Sequence, residues 1–144
     1  FMGIYGSFYF QAEYMATQVK RWYGKPTVNV NGAYATATWT LTGETRYYYA
    51  DEGEVGPMES PKNSWGALEL AFRYSTLNLN DFDAGIKGGK SKQMMFGLNY
   101  YPNVNIKLQF NYSLVDLDDY ATSKGKFVGN DDHSFVQIRI QASL

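Results

Sequence analysis

In VNIKLQFNYSLVD, the segment from Val104 to Asp116, apolar and polar residues alternate without a break over the eleven positions from Val104 to Leu114. A segment whose side chains alternate with a period of two forms a β-strand with one apolar and one polar face. The apolar residues are Val104, Ile106, Leu108, Phe110, Tyr112 and Leu114, and the polar residues between them are Asn105, Lys107, Gln109, Asn111 and Ser113. The apolar face either packs against the core of a soluble β-protein or contacts lipid in an outer-membrane barrel, where the polar face lines the lumen.

The same alternation recurs along the chain. It is found in segments 8–21, 32–43, 65–77, 92–101 and 133–144, and residues 1–5 read as the end of a further strand. No segment has a helical period of useful length, so we predict an all-β protein. Each full segment has about ten to fourteen residues, more than the ~5–6 typical of soluble sheets and close to the ~9–11 of a tilted membrane strand. Strand length therefore favours a barrel in a membrane.

The composition agrees with a single domain spanning residues 1–144. A formal net charge of −1, from 13 basic and 14 acidic residues, gives no reason to expect a nucleic-acid partner. Aromatic residues make up 17% of the chain and the mean hydropathy is negative, while no run approaches the ~20 apolar residues of a membrane-spanning helix. A membrane barrel has this composition, because only alternate residues must be apolar and aromatic residues gather at the two interfaces.

The expected connections differ in length between the two ends of the strands. Segments IYGSF (4–8) and YYPNVN (100–105) are typical of tight turns, whereas segments 79–91 and 116–132 are typical of long polar loops. Outer-membrane barrels have short periplasmic turns and long external loops, so we expect the tight turns in the periplasm. Segment 44–64 breaks this pattern, because it is a long connection on the side of the tight turns and nothing in its residues explains its length.

Six full strands and one partial strand cannot close a barrel, since single-chain bacterial barrels have even strand numbers from about 8 upward. An open sheet would leave unpaired edges in lipid. The start, FMGIYGSF, also lacks the basic and apolar regions of a signal peptide. We therefore expect these 144 residues to be the C-terminal part of a larger barrel.

Five short stretches, taken in order, resemble a known family. They are QAEY (11–14), LTGE (41–44), WGALELAFRYS (65–75), GLNYYPN (97–103) and QIRIQASL (137–144). Together they resemble the C-terminal third of the phosphate-selective porin O and P family. The resemblance implies the last six or seven strands of a sixteen-stranded antiparallel transmembrane β-barrel, a homotrimer, and conduction of anions such as phosphate. Two features depart from the family: the chain ends on Leu144 rather than on an aromatic residue, and the phosphate-binding arginines and lysines of selective members lie mainly outside this stretch.

The polar faces of the strands are the candidate functional site. The predicted pore-lining residues are Glu13, Glu69, Arg73, Lys107, Gln109, Asn111, Gln137 and Arg139. Fixed cations in a narrow polar lumen lower the barrier for anions, so Arg73, Lys107 and Arg139 are the predicted anion contacts. The alternative is that these cations are wall charges paired with Glu13 and Glu69 on other strands. The candidates for the aromatic belts at the membrane interfaces are Trp39, Trp65, Tyr74, Tyr100, Tyr101 and Tyr112, unless they pack in an ordinary β-core.

Residues that could support catalysis are sparse. The chain has no cysteine and a single histidine, His133, which leaves no basis for a thiol nucleophile, a catalytic triad or a histidine–metal cluster. The aspartates in segments 116–119 and 131–132 lack the ligand spacing of a calcium loop and are typical of a solvated surface. We therefore predict no enzyme, no cofactor and no bound metal.

Taken together, these features predict a porin in the outer membrane of a Gram-negative bacterium, through which small anionic solutes diffuse passively. Its expected partners are membrane lipids, lipopolysaccharide, and copies of itself in a homotrimer or a larger outer-membrane assembly. Two alternatives stay open. One is a non-conducting barrel that serves as a scaffold subunit, with segment 44–64 and the acidic loops as docking surfaces. The other is a soluble, ligand-binding barrel of the lipocalin type.

Overall fold

The computed structural model describes residues 1–123, 126–127 and 129–143. Its strands are β1 (Met2–Tyr5), β2 (Phe8–Val19), β3 (Val28–Thr40), β4 (Arg46–Tyr49), β5 (Glu54–Met58), β6 (Ala67–Asp81), β7 (Ile86–Asn103), β8 (Ile106–Leu117), β9 (Thr122–Ser123), β10 (Lys126–Phe127) and β11 (His133–Ala142). Across these described ranges, no helix is long and apolar enough to cross a membrane. The terminal residue Leu144, which the sequence singles out, lies outside the described residues.

Seven strands form one antiparallel sheet in the order β1-β2-β3-β6-β7-β8-β11. Strands β4 and β5 form a separate hairpin, and β9 pairs with β10 in another. Sequential strands of the main sheet are therefore neighbours, and β1 and β11 lie at its two edges. This arrangement confirms the prediction of an all-β, antiparallel chain with six long strands and one short first strand.

The prediction of a long loop over residues 79–91 is wrong. Strand β6 continues to Asp81 and β7 begins at Ile86, so the connection is only Phe82 to Gly85. The residues that extend these strands are mostly polar on both faces, and backbone pairing does not require apolar alternation. The apolar pattern ends before the strand ends, and for this reason the sequence places the loop too early.

A second boundary is also corrected, at the start of β8. The strand begins at Ile106 rather than Val104, because residues 104–105 form the turn. The backbone amide of Asn105 donates a hydrogen bond to Asn103 Oδ1 at 2.9 Å, which is an Asx-type turn contact. The tight turn is confirmed, and the apolar and polar residues of the rest of β8 lie on opposite faces of the strand, as predicted.

The apolar side chains of the long strands share one face, and that face is exposed. Register aligns them in successive rows, the central one being Phe8, Trp39, Leu70, Leu98, Phe110 and Ile138, each of them exposed. Along β8 the rows run from Ile106 to Leu114, which corresponds to about 26 Å at ~3.3 Å per residue. Because strands of outer-membrane barrels tilt by ~35–45°, this length spans a height of about 19–22 Å, not far from the ~25 Å apolar band of such barrels. We refer to this surface as the apolar face and to the opposite one as the polar face.

The strand ends that face away from the tight turns are joined by side-chain hydrogen bonds. Asn80 Nδ2 donates to Asp118 Oδ2 at 2.6 Å, and the Gly89 amide donates to Asn80 Oδ1 at 2.8 Å. Arg21 reaches across from the β2–β3 connection and donates to the Ala84 carbonyl at 2.7 Å. These hydrogen bonds join the β2–β3, β6–β7 and β8–β11 connections to one another. They stabilise the end of the sheet opposite the tight turns, which we call the loop end.

The return of the chain into β6 depends on Gly66, which has a φ of +110°. A Cβ atom at this position would lie 2.4 Å from the Tyr101 carbonyl oxygen. We expect Gly66→Ala to destabilise the fold by about 2–3 kcal/mol, because it adds both backbone strain and a clash. Urea unfolding of the full-length protein in vesicles measures this effect. Gly3→Ala is the matched control, since nothing lies within 4 Å of a Cβ there, and an equal effect of the two substitutions would contradict the prediction.

Candidate functional site: the polar face and the hairpin over it

The eight residues predicted to line a pore all lie on strands of the main sheet, and their alternation places them on the polar face. One row across β6, β7, β8 and β11 consists of Glu69, Asn99, Gln109 and Arg139. Gln109 Nε2 donates to Asn99 Oδ1 at 3.1 Å within this row. Asn111 and Gln137 share another row. Lys107, Arg73 and Glu13 each lie in a further row of the same face. The sheet therefore brings the predicted residues onto a single continuous surface.

Arg73 is held by neutral partners. Its guanidinium lies 4.0 Å from the centre of the Tyr34 ring, and Nη1 donates to Thr36 Oγ1 at 3.2 Å. Gln11 Nε2 donates to the Tyr34 hydroxyl at 2.8 Å, which helps to fix the position of the ring. Among the described residues, Arg73 has no carboxylate within salt-bridge distance. The neutral side chains of the sheet hold the guanidinium in place, and no ion pair with a described carboxylate neutralises its charge.

Segment 44–64, which the sequence left unexplained, forms the β4–β5 hairpin. Glu44 at its base is fully buried and accepts hydrogen bonds from the Thr42 hydroxyl and from the Lys62 amide, the latter at 2.8 Å. Burial by itself would raise the pKa of Glu44, but these hydrogen bonds outweigh it and lower the pKa below its usual value. The charged carboxylate therefore ties both ends of the connecting segment together.

The hairpin attaches to the polar face through an ion pair. Arg46 Nη2 lies 2.7 Å from Glu69 Oε2, and the Glu69 side chain is only 1% exposed. Asn99 Nδ2 and the Tyr101 hydroxyl donate to the other oxygen, Glu69 Oε1, at 2.7 and 3.0 Å. Glu69 is thus satisfied by one cation and two neutral donors, as a buried carboxylate requires.

This ion pair bears on the alternative that Glu13 and Glu69 neutralise the wall cations. The partner of Glu69 is Arg46, a residue of the connecting segment, rather than Arg73, Lys107 or Arg139. Sequence reasoning missed Arg46, because it stands in a segment with loop-like glycines and prolines. The available signal was Glu69 itself, a carboxylate at a wall position with no cation facing it on the neighbouring strands.

The hairpin extends across the end of the polar face that carries the tight turns. A cavity of about 200 Å³ separates residues 57–61 of the hairpin from the β7–β8 turn and the end of β11. Lys107 lies at this cavity, with Nζ 5.1 Å from the centre of the Tyr101 ring. Gln141 and Ser143 line the opposite side. The β4–β5 hairpin therefore narrows the space over the polar face at the end of the sheet that carries the tight turns.

The assignment of Tyr101 to an aromatic belt is wrong. Its hydroxyl bonds Glu69, and its ring lies under Lys107, so it belongs to the polar face. Tyr100, one residue earlier, is on the apolar face, where its hydroxyl donates to the Trp65 carbonyl. Trp39 is also on the apolar face and stacks on Phe8 with ring centres 5.3 Å apart. Two adjacent tyrosines in a strand must point to opposite faces, so only one of them could lie in the belt.

Comparison with known proteins was consistent with these features. A family model described as "Phosphate-selective porin O and P" matches residues 1–143. Porin O of Pseudomonas aeruginosa is 27% identical over 128 residues, which cover 83% of this chain and 29% of that protein. An uncharacterized protein of Caulobacter vibrioides is 34% identical over 87 residues, which cover 59% of this chain and 17% of its own length. The chain thus spans less than a third of the length of these relatives.

Proposed function

Since this chain belongs to the phosphate-selective porin O and P family, we propose that it forms part of an outer-membrane porin through which small anions, phosphate among them, diffuse passively. The observation that carries the proposal is the inverted distribution of polarity in the sheet. Exposed residues such as Phe110 and Leu98 are apolar, whereas Glu69, Asn99 and Ser113 are buried on the opposite face. A soluble sheet has the reverse arrangement, and a lipid-embedded wall around a polar lumen has this one.

The charges on the polar face favour anions over cations. Arg46, Arg73, Lys107 and Arg139 are positive, and Glu13 and Glu69 are the carboxylates among them. The Glu69 charge is already offset by Arg46, so the remaining cations dominate the local potential. Guanidinium and ammonium groups are the side chains that bind phosphate oxygens, which makes phosphate a suitable solute. No catalytic or cofactor-dependent step is needed for this function.

The porin is placed in the outer membrane of a Gram-negative bacterium, with the tight turns and the hairpin in the periplasm and the loop end outside. Copies of the chain assemble in this proposal as a homotrimer or a larger complex, with lipopolysaccharide around the external rim. The barrel would contain sixteen strands, of which the described sheet supplies seven.

A second function is favoured by the hairpin that lies over the polar face. If the hairpin closes the lumen, the protein is a non-conducting scaffold, and the exposed Tyr47, Tyr48 and Tyr49 of β4 are a docking surface. Conductance of the purified full-length protein in a planar lipid bilayer distinguishes the two functions. The porin conducts without any ligand, and the scaffold does not conduct.

The ion selectivity of the pore provides a sharper prediction. We expect Lys107→Glu combined with Arg139→Glu to reduce the anion-to-cation permeability ratio at least about threefold, because two fixed cations become anions beside the pathway. The reversal potential in a salt gradient measures this ratio. Lys90→Glu makes the same kind of charge change on the strand face that points away from the lumen, and it should leave the ratio unchanged. An unchanged ratio in the double variant would contradict the proposed pathway.

A further inference from the structure

A cavity of about 620 Å³ lies at the loop end of β7, β8 and β11, on the side of the sheet away from the hairpin. Its apolar part includes Tyr74, Met94 and Leu114, which register places side by side. Its polar part includes Lys92, Asp116, Asp132, His133 and Ser134. The cavity is thus lined by a larger apolar part and a smaller polar part that contains charged side chains, and it lies on the face away from the pore pathway.

The cavity sits where the apolar face ends. The next row of side chains beyond Tyr74, Met94 and Leu114 is Thr76, Lys92 and Asp116, which register also places side by side. Lys92 Nζ lies 3.3 Å from Asp116 Oδ2, and the two side chains are 46% and 57% exposed. In a membrane, such a change from apolar to charged rows marks the boundary between acyl chains and headgroups.

The chemistry of the lining selects a particular kind of amphiphile. Lys92 is a cation at the boundary, where it can bind a phosphate group. Asp116, Asp132 and Ser134 provide oxygen atoms that accept hydrogen bonds from sugar hydroxyls. The row of Tyr74, Met94 and Leu114 offers an apolar surface for an acyl chain. The volume lies within the ~300–1,000 Å³ typical of ligand sites.

We propose that this cavity binds the phosphorylated sugar headgroup of an acylated glycolipid of the lipopolysaccharide type, with Lys92 on a phosphate and the apolar row against an acyl chain. The inference rests on the proposed membrane placement of the sheet, but it does not depend on conduction. It assigns Lys92, on the lipid side of the wall, a binding role that the pore residues do not share.

The test uses the full-length protein in detergent micelles and a bisphosphorylated, acylated glucosamine disaccharide as the probe. Lys92→Gln should weaken binding about tenfold, as expected for the loss of one charge-assisted phosphate contact. Lys90→Gln is the matched control, because it removes the same charge two residues further along the same strand face, outside the cavity lining. Both variants should fold and conduct as wild type does, since an exposed ion pair contributes little to stability.

Two outcomes would overturn the site. One is equal binding of the probe by the Lys92→Gln and Lys90→Gln variants. The other is equally effective competition by phosphatidylglycerol, which would show an unspecific attraction to anionic lipid. Removing the phosphates from the probe should abolish the difference between wild type and Lys92→Gln. A protein that binds the glycolipid through Lys92 but does not conduct would overturn the proposed pore and leave this site standing.

Discussion

Replacing Phe110 by arginine is expected to lower the free energy of unfolding in lipid vesicles by about 2–4 kcal/mol. Phe110 is 45% exposed and lies in the central row of the apolar face, between Leu98 and Ile138. On the surface of a soluble protein, a side chain this exposed could be exchanged for arginine at little cost. At the middle of a bilayer, the guanidinium must be buried in hydrocarbon, and the cost is large.

The matched control for this substitution is Asn111→Arg. Asn111 is the next residue of β8, points to the polar face and faces Gly97, which has no side chain. An arginine there remains in water, so we expect a change of less than about 1 kcal/mol. Urea titrations of the two refolded full-length variants, followed by tryptophan fluorescence, provide the comparison. Similar losses in both variants, or a loss confined to Asn111→Arg, would contradict the assignment of the faces.

The second large effect is expected at the anchor of the hairpin. Arg46→Ala leaves the Glu69 carboxylate buried without its cation, and we expect a loss of about 3 kcal/mol, typical of a broken buried ion pair. Because Arg46 attaches the hairpin to the polar face, its removal should also release the hairpin and raise the single-channel conductance. Unfolding by urea and conductance in a planar bilayer measure the two consequences separately.

A double-mutant cycle distinguishes the ion pair from general damage. Arg46→Ala combined with Glu69→Ala should cost less than the sum of the two single substitutions, with a coupling of about 1–3 kcal/mol. The exposed pair provides the control, since Lys92→Ala with Asp116→Ala should show a coupling below about 1 kcal/mol. Additive effects at Arg46 and Glu69, together with unchanged conductance, would mean that this contact does not hold the hairpin.

The alternation of side chains allowed the sheet and its two faces to be predicted from sequence. In β8 the period of two runs from Ile106 to Leu114 without a break, so one side chain fixes the orientation of all the others. The same reasoning placed Arg73, Lys107 and Arg139 on one surface before any pairing was known. It failed at Asp81 and Ile86, where polar strands pair in water and carry no apolar signal.

The hairpin was beyond this kind of prediction for a different reason. Its position depends on Arg46 meeting Glu69 across 23 residues of sequence, and no local pattern encodes such a contact. The short strand β5 also contains Gly56 and Pro57, which indicate a loop in a single-sequence reading. Tyr101 was misassigned because belt aromatics are recognised by residue type, whereas the face is decided by register.

The orientation of β8 can be measured directly by cysteine scanning. The 144 residues contain no cysteine, so with any cysteine elsewhere in the full-length protein replaced by serine, single cysteines introduced from Ile106 to Leu114 report one position at a time. In the full-length protein in its membrane, a charged maleimide should label positions 107, 109, 111 and 113, and a lipid-soluble maleimide should label the positions between them. The charged reagent could instead label all positions equally, or label only positions 106, 108, 110, 112 and 114. Either result would contradict the conclusion that the apolar face meets lipid and the polar face lines the pore.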